Sequence, residues 1–307
     1  MNPRIVAASS LVVAALSSPC AALAQDTYQA EAGLSYSRFK SDSFRSSDAG
    51  ADGTWFFQRL PSRPTDYPLE QAAFVERSGS LSANYSRLSP ELTNAETVKK
   101  GSAYGVDVDF RRAGSPLILR AGYDSTDSGR FATPLASGGT ETEVQAKAYQ
   151  ASIGAYTGAA TALSVDWSKA KSRTAVNVPN TNQPDTNNTF TSVGLSGQHL
   201  ARFAGGDSLA IDATIARITH DSDNAASETN WDIGLRATYY PTRMFGLSAG
   251  MVFDNGDDHL VEGKTYDVGA RIFITPAFSV SLDYRKFKAK TPDNDFSAIA
   301  LRGALRF

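Results

Sequence analysis

A two-residue periodicity runs through this chain and is most regular where the chain ends. Phe307, Leu305, Gly303, Leu301 and Ile299 fall on one face of an extended segment, and Arg306, Ala304, Arg302, Ala300 and Ala298 on the other. Phe278, Val280, Leu282 and Tyr284 oppose Ser279, Ser281, Asp283 and Arg285 in the same way. So do Tyr266, Val268, Ala270, Ile272 and Ile274 against Asp267, Gly269, Arg271 and Phe273, and Trp231, Ile233, Leu235, Ala237 and Tyr239 against Asp232, Gly234, Arg236 and Thr238. A tilted strand crossing a bilayer needs about ten residues with one apolar face. So persistent an apolar face must meet either lipid or a second sheet, and the connections decide which.

Short turns fall at Ala113-Gly114-Ser115-Pro116, Thr157-Gly158-Ala159-Ala160, Ala204-Gly205-Gly206-Asp207, Tyr240-Pro241-Thr242 and Thr275-Pro276. They alternate with longer polar stretches at 89–98, 125–140, 171–188, 221–227, 254–261 and 289–295. That is the periplasmic-turn, outer-loop alternation of a membrane barrel, and a β-sandwich has no reason to keep it. Strand segments at 28–36, 55–57, 75–85, 104–110, 117–123, 149–155, 163–167, 193–197, 209–215, 231–239, 245–253, 266–274, 278–284 and 299–307 predict an all-β, transmembrane, antiparallel up-and-down β-barrel of about 14 strands, with 12 or 16 as alternatives. Residues 60–71, with Pro61, Pro64 and Pro68, break the rule. Parity makes this a short periplasmic turn, yet it is long, and if the second strand is misplaced the count falls to 12.

The other end of the chain points to export. Arg4, an apolar stretch from Leu11 to Leu16 and a small-residue exit at Ala22-Leu23-Ala24 predict a cleaved signal peptide over 1–24, leaving a barrel over 25–307. No later segment approaches the roughly 20 apolar residues of a membrane helix. Cys20 follows Pro19, a poor fit to a lipoprotein site. With Cys20 removed, disulfide, thiolate-metal and cysteine-nucleophile chemistry are excluded. A formal charge of −2 and the lack of a basic stripe argue against nucleic acid. The expected location is the outer membrane, among lipid and lipopolysaccharide.

Aromatics cluster toward strand ends on the expected lipid face, as interfacial girdles require: Tyr28, Tyr36, Tyr85, Tyr104, Phe110, Tyr123, Trp167, Trp231, Tyr239, Phe245, Phe253, Tyr284 and Phe307. The opposite face collects Glu31, Glu76, Asp107, Asp109, Asp166, Asp212, Asp232, Asp267 and Asp283, against Arg111, Arg120, Arg236, Arg271, Arg285, Arg302 and Arg306. Arg or Lys facing lipid near the midplane costs roughly 2–4 kcal/mol, so these charges are expected inside, lining a path for small hydrophilic solutes or ions. Mixed signs predict weak ion selectivity. A constriction is expected from an outer loop, 171–188 or 125–140, folding inward.

Two other classes compete. A hydrolase would need a base beside an acid, and His220-Asp221, or His259 after Asp257-Asp258, are the candidates, although no nucleophile motif accompanies them. A non-conducting structural or adhesion barrel is the other. Asp254-Asn255-Gly256-Asp257-Asp258 has oxygen ligands around a glycine but lacks the later glutamate of a calcium loop, so it reads as a hairpin turn. No catalytic residue, metal or cofactor is assigned.

Gly53-Thr54-Trp55-Phe56-Phe57 and Pro68-Leu69-Glu70-Gln71-Ala72-Ala73-Phe74-Val75-Glu76-Arg77 resemble a segment near the start of the general bacterial porins of Gram-negative bacteria, and the leader and the terminal Phe307 are similar too. The resemblance implies a pore-forming outer-membrane protein. It also implies that Phe307, with Leu305 and Leu301, forms the signal read by the barrel-assembly machinery. A homotrimer is left open.

Overall fold

The computed structural model describes residues 26–307 apart from 42–43, 63–65, 93–95, 134–139, 178–184, 224, 256–262 and 291–294. The expected signal peptide with Cys20, and the Asp257-Asp258-His259 stretch, lie outside the described residues. Fourteen antiparallel strands close on themselves: β1 Thr27–Ser41, β2 Phe44–Pro61, β3 Ser80–Leu92, β4 Glu96–Arg111, β5 Leu117–Thr133, β6 Thr140–Gly158, β7 Thr161–Asn177, β8 Thr186–Arg202, β9 Ser208–Ser222, β10 Ala225–Thr242, β11 Phe245–Asn255, β12 Gly263–Thr275, β13 Phe278–Ala289 and β14 Phe296–Arg306. Each strand pairs with its sequence neighbours, and β1 with β14 completes the ring. At the seam Phe307 O accepts from Gln29 N at 2.9 Å and Ala30 N at 2.8 Å, and Phe307 N donates to Ala30 O at 2.9 Å.

Alternation sorts the wall as expected. Leu34, Ile153, Leu195, Leu235, Val268 and Leu301 are among many apolar side chains at least half exposed on the outward surface. On a soluble monomer an apolar surface this continuous would mark a contact face; around a closed barrel it is the lipid belt.

The structure departs from the sequence reading in four places. Several strands run to 15–19 residues, well past the roughly 9–11 that span a bilayer, so most of 125–140 and 171–188 is barrel wall and not loop. Above the lipid both strand faces meet water, so the alternation that betrays a strand vanishes although the ladder continues. The turn placed at Tyr240-Pro241-Thr242 falls instead at Arg243-Met244, because β10 runs on to Thr242. The third strand starts at Ser80, not Val75, since 75–79 belong to an inserted segment. Tyr28 is not on the lipid face: a register shift between Tyr28 and Ala30 turns it inward, where it is 3% exposed and sits edge-on to Phe56 at 5.6 Å.

The inserted segment occupies the place of the sixth turn. Residues 62–79 join β2 to β3 through a 3-10 turn, Leu69–Gln71, and one turn of helix, α1 Ala72–Val75. Leu69 and Ala72 are fully buried and Phe74 is 4% exposed. These side chains lie inside the barrel.

Candidate permeation pathway

The segment seats by covering apolar surface. Tyr67, Ala72 and Phe74 pack with Ile118 of β5, Tyr156 of β6, Ala162 of β7, Leu200 of β8, Ala210 of β9 and Tyr240 of β10, while Ala73 packs on Tyr28, Phe56 and Leu60 of β1 and β2. Full burial of a Leu or Phe side chain is worth about 1.5–3 kcal/mol, so Leu69 and Phe74 together anchor the segment by several kcal/mol.

Polar contacts then fix its orientation. Arg111 of β4 lies 5.9 Å from the Phe74 ring centroid and donates to Tyr156 Oη at 3.1 Å; that hydroxyl donates to Phe74 O at 2.8 Å. Gln71 Nε2 donates to Tyr240 Oη at 2.9 Å, and Gln198 Nε2 of β8 donates to Gln71 Oε1 at 3.4 Å. Glu70 accepts from Tyr240 Oη and from Arg271 of β12, each at 3.2 Å, and Arg306 of β14 donates to Leu69 O at 3.3 Å. Interior side chains of β4, β6, β8, β10, β12 and β14 therefore hold one segment from around the ring. The result is a plug at the end of the barrel that carries the short turns.

The plug leaves through a strained residue. Ser78 N bonds back to Ala73 O at 2.9 Å, the wrap that ends a helix with a left-handed residue, and the residue in that position is Arg77, φ 52°. Glycine takes this conformation more cheaply. Arg77 offsets the strain by donating to Gly158 O at 3.1 Å and Ser115 O at 3.4 Å in two neighbouring turns and by lying 4.3 Å over the Tyr156 ring.

Beyond the plug the interior is polar. Arg302 donates to Asp52 at 2.6 Å and Glu31 at 2.8 Å, and Arg306 donates to Glu31 at 2.8 Å, bracing β1, β2 and β14 across the seam. Gly33 leaves room for this network, since a Cβ there would lie 2.6 Å from Asp52 Oδ1 and 2.8 Å from Arg302 Nε. Across the barrel Asp109 takes Arg111 at 2.7 Å and Arg120 at 3.1 Å, and Arg236 lies 3.5 Å from Asp267 and 3.4 Å from Asp283. Asp166 accepts from Ser196 Oγ at 2.6 Å.

Among the described residues the lumen holds two sizeable cavities. One, about 650 Å³, is lined by Asp107, Asp109, Arg111, Arg120 and Asp166 with hydroxyls such as Ser82, Ser168 and Thr214. The other, about 530 Å³, is lined by Glu31, Glu70, Asp212, Asp283, Arg236, Arg271 and Arg302. Each holds one more carboxylate than guanidinium.

Of the residues singled out from sequence, Glu31, Asp107, Asp109, Arg111, Arg120, Asp166, Asp212, Asp232, Arg236, Asp267, Arg271, Asp283, Arg285, Arg302 and Arg306 share the interior face of their strands. Glu76 does not belong to a strand. It follows α1 in the plug and accepts a hydrogen bond from the Tyr67 hydroxyl. His220 and Asp221 are consecutive on β9 and so face opposite ways; the His220 ring stacks on Phe190 at 4.3 Å, with Nε2 3.2 Å from Asn188 Oδ1. Sequence reasoning missed Asp52, because β2 was recognised only at Trp55-Phe56-Phe57. It also missed Glu70, Gln71, Tyr156 and Tyr240, the plug's latch. The one available signal was the disobedient length of 60–71.

A closed antiparallel barrel with an apolar outer belt and a charged interior defines a bacterial outer-membrane β-barrel protein. The family model described as "Putative general bacterial porin" matches residues 3–304, and the chain belongs to that family. Among solved structures, Omp33 of Acinetobacter baumannii superposes with a TM-score of 0.56 at 16% identity, covering 92% of this chain and 99% of that one. A loop-deletion form of OmpT, an outer membrane protein of Vibrio cholerae, gives 0.48 at 13% identity over 92% of this chain and 100% of that one. The toluene transporter TodX of Pseudomonas putida gives 0.46 at 11% identity over 96% and 93%. No curated protein matches the chain in sequence.

Proposed function

We propose that this protein is a diffusion channel for small hydrophilic solutes or ions, with its restriction at the periplasmic end and formed by residues 66–79. The observation that carries the reading is the pairing of a charged, cavity-bearing lumen with a plug made from the connection between two adjacent strands. The near-balance of acids and arginines in both cavities favours weak selectivity with a small preference for cations. The opposite facing of His220 and Asp221 on β9, with the His220 ring stacked on Phe190, favours the reading of a non-enzyme.

A closed structural barrel is the second reading, favoured by the apolar layer around Phe74 and Leu69. Single-channel recording in planar bilayers separates the two. The channel reading expects discrete steps from purified refolded protein and larger steps once the plug is excised. Silence from both proteins would leave the structural barrel standing. A reversal potential in a salt gradient measures the ion preference.

A further inference from the structure

The outward face carries a charge pattern that the lumen does not use. Arg38, Arg87, Lys169 and Lys286 each stand two residues beyond an outward aromatic, Tyr36, Tyr85, Trp167 and Tyr284, on strands running away from the short turns. Lys147 and Lys264 stand two residues before Tyr149 and Tyr266 on strands running back, and Arg217 is opposite Trp231. Residues two apart on a strand share a face. A ring of cations therefore sits just past one aromatic girdle, at the end opposite the plug. None of these seven makes an ion pair among the described residues.

The ring has one formed depression. Arg38, Lys40 and Arg45 border a hollow of about 380 Å³ closed by Tyr284, Ser297, Ala298 and Ile299. The register explains it: Ser297 lies between Lys40 and Lys286, and Ile299 between Arg38 and Tyr284, so small or short side chains are flanked by long ones. Arg45 is opposite Lys40, and Glu91, opposite Arg45 across β2 and β3, forms no ion pair with it. One row further toward the membrane middle, Tyr36, Leu301 and Leu282 continue the hollow as an apolar track.

We propose that this hollow binds a phosphorylated glycolipid of the outer leaflet. The guanidinium and ammonium groups of Arg38, Arg45 and Lys40 take a phosphate, and an acyl chain follows Ile299, Leu301 and Leu282. Guanidinium groups match phosphate with paired hydrogen bonds, and clustered cations at a membrane surface recognise anionic headgroups. The apolar track selects a lipid over free phosphate. The assignment rests on the orientation used above, with the plug on the periplasmic side.

The test compares purified protein with the triple variant R38Q/K40Q/R45Q by native mass spectrometry, titrating doubly phosphorylated lipid A, its dephosphorylated form and inorganic phosphate. The triple variant is expected to bind phosphorylated lipid A about 100-fold more weakly, which at 1.4 kcal/mol per decade is about 1 kcal/mol per cation. Dephosphorylated lipid A should bind both proteins equally and weakly, and millimolar phosphate should not displace the lipid. Equal binding of phosphorylated lipid A to both proteins overturns the site, and displacement by phosphate reduces it to an anion patch. If the triple variant fails to give the heat-modifiable gel band of a folded barrel, K40Q alone is read, with an expected loss of about fivefold. Channel recordings on the same proteins keep a failure here distinct from a failure of the channel reading, because these side chains face away from the lumen.

Discussion

The two ends of this barrel are lined by different chemistry. At the plug end Leu60, Leu69, Ala72, Phe74, Ile118, Leu200 and Tyr240 form a layer as dry as a soluble core. At the other end the interior mixes charges and hydroxyls with apolar side chains such as Phe131 and Phe190, and a larger aromatic group, Phe39, Phe44, Phe287 and Phe296, sits off-centre on the β1, β2, β13 and β14 wall, with ring centroids 4.9–5.6 Å apart. Small barrels fill their interior with their own side chains, whereas wider ones leave a channel or need a plug. A 14-strand wall is wide enough that the chain supplies an extra segment to bridge it.

Excising residues 63–77 and joining β2 to β3 through a short Gly-Ser linker should have the largest effect. The barrel should still give a heat-modifiable band, and single-channel conductance should rise above that of any point variant; unchanged conductance would break the comparison. Phe74→Ala should cost about 3–5 kcal/mol of plug seating and show as a higher open fraction in bilayer recordings. Phe296→Ala, partly exposed in the other aromatic group, should leave the open fraction unaltered. Glu31→Gln should lower barrel stability by about 3 kcal/mol, read as a shifted urea midpoint on gels, because Arg306, at 6% side-chain exposure, loses its carboxylate while Arg302 keeps only Asp52. Arg77→Gly should have the smallest effect: relief of left-handed strain, about 1 kcal/mol, nearly balances the lost clamps on Ser115 and Gly158. A large change in open fraction for that variant would show the clamps to dominate.

The wall was legible because its residues obey one rule. Leu282 against Asp283, or Val268 against Asp267, announces a strand with lipid on one side and water on the other, and the partners across each hairpin follow from the turn between them. Legibility fails where the rule changes. In β2 the residues from Phe44 to Thr54 are mostly small or polar on both faces, so Asp52 was invisible. Tyr28 was misplaced because the pairing of β1 with β2 loses its register between Tyr28 and Ala30, and parity does not carry across the break. The plug was illegible for a different reason: Leu69, Phe74 and Tyr67 acquire their burial from side chains on distant strands, and no local period encodes that. The charged lumen could be listed residue by residue, but its pairings, such as Arg302 with Asp52, join parts of the chain too far apart for periodicity to connect.

The plug is strung between consecutive strands, and among the described residues its main-chain links to the wall are few: Ser62 N to Asp26 O, Leu69 N to Arg243 O and Phe57 N to Gly79 O, each at 2.9–3.0 Å. Withdrawing it breaks no rung of the ladder that closes the ring. Release of the plug would thus be a local unfolding event with its own free energy, distinct from the one that takes the barrel apart. Leakiness and durability become separately adjustable properties: a mutation can make the wall more permeable without making it more fragile, and heating should release the plug long before it melts the cylinder.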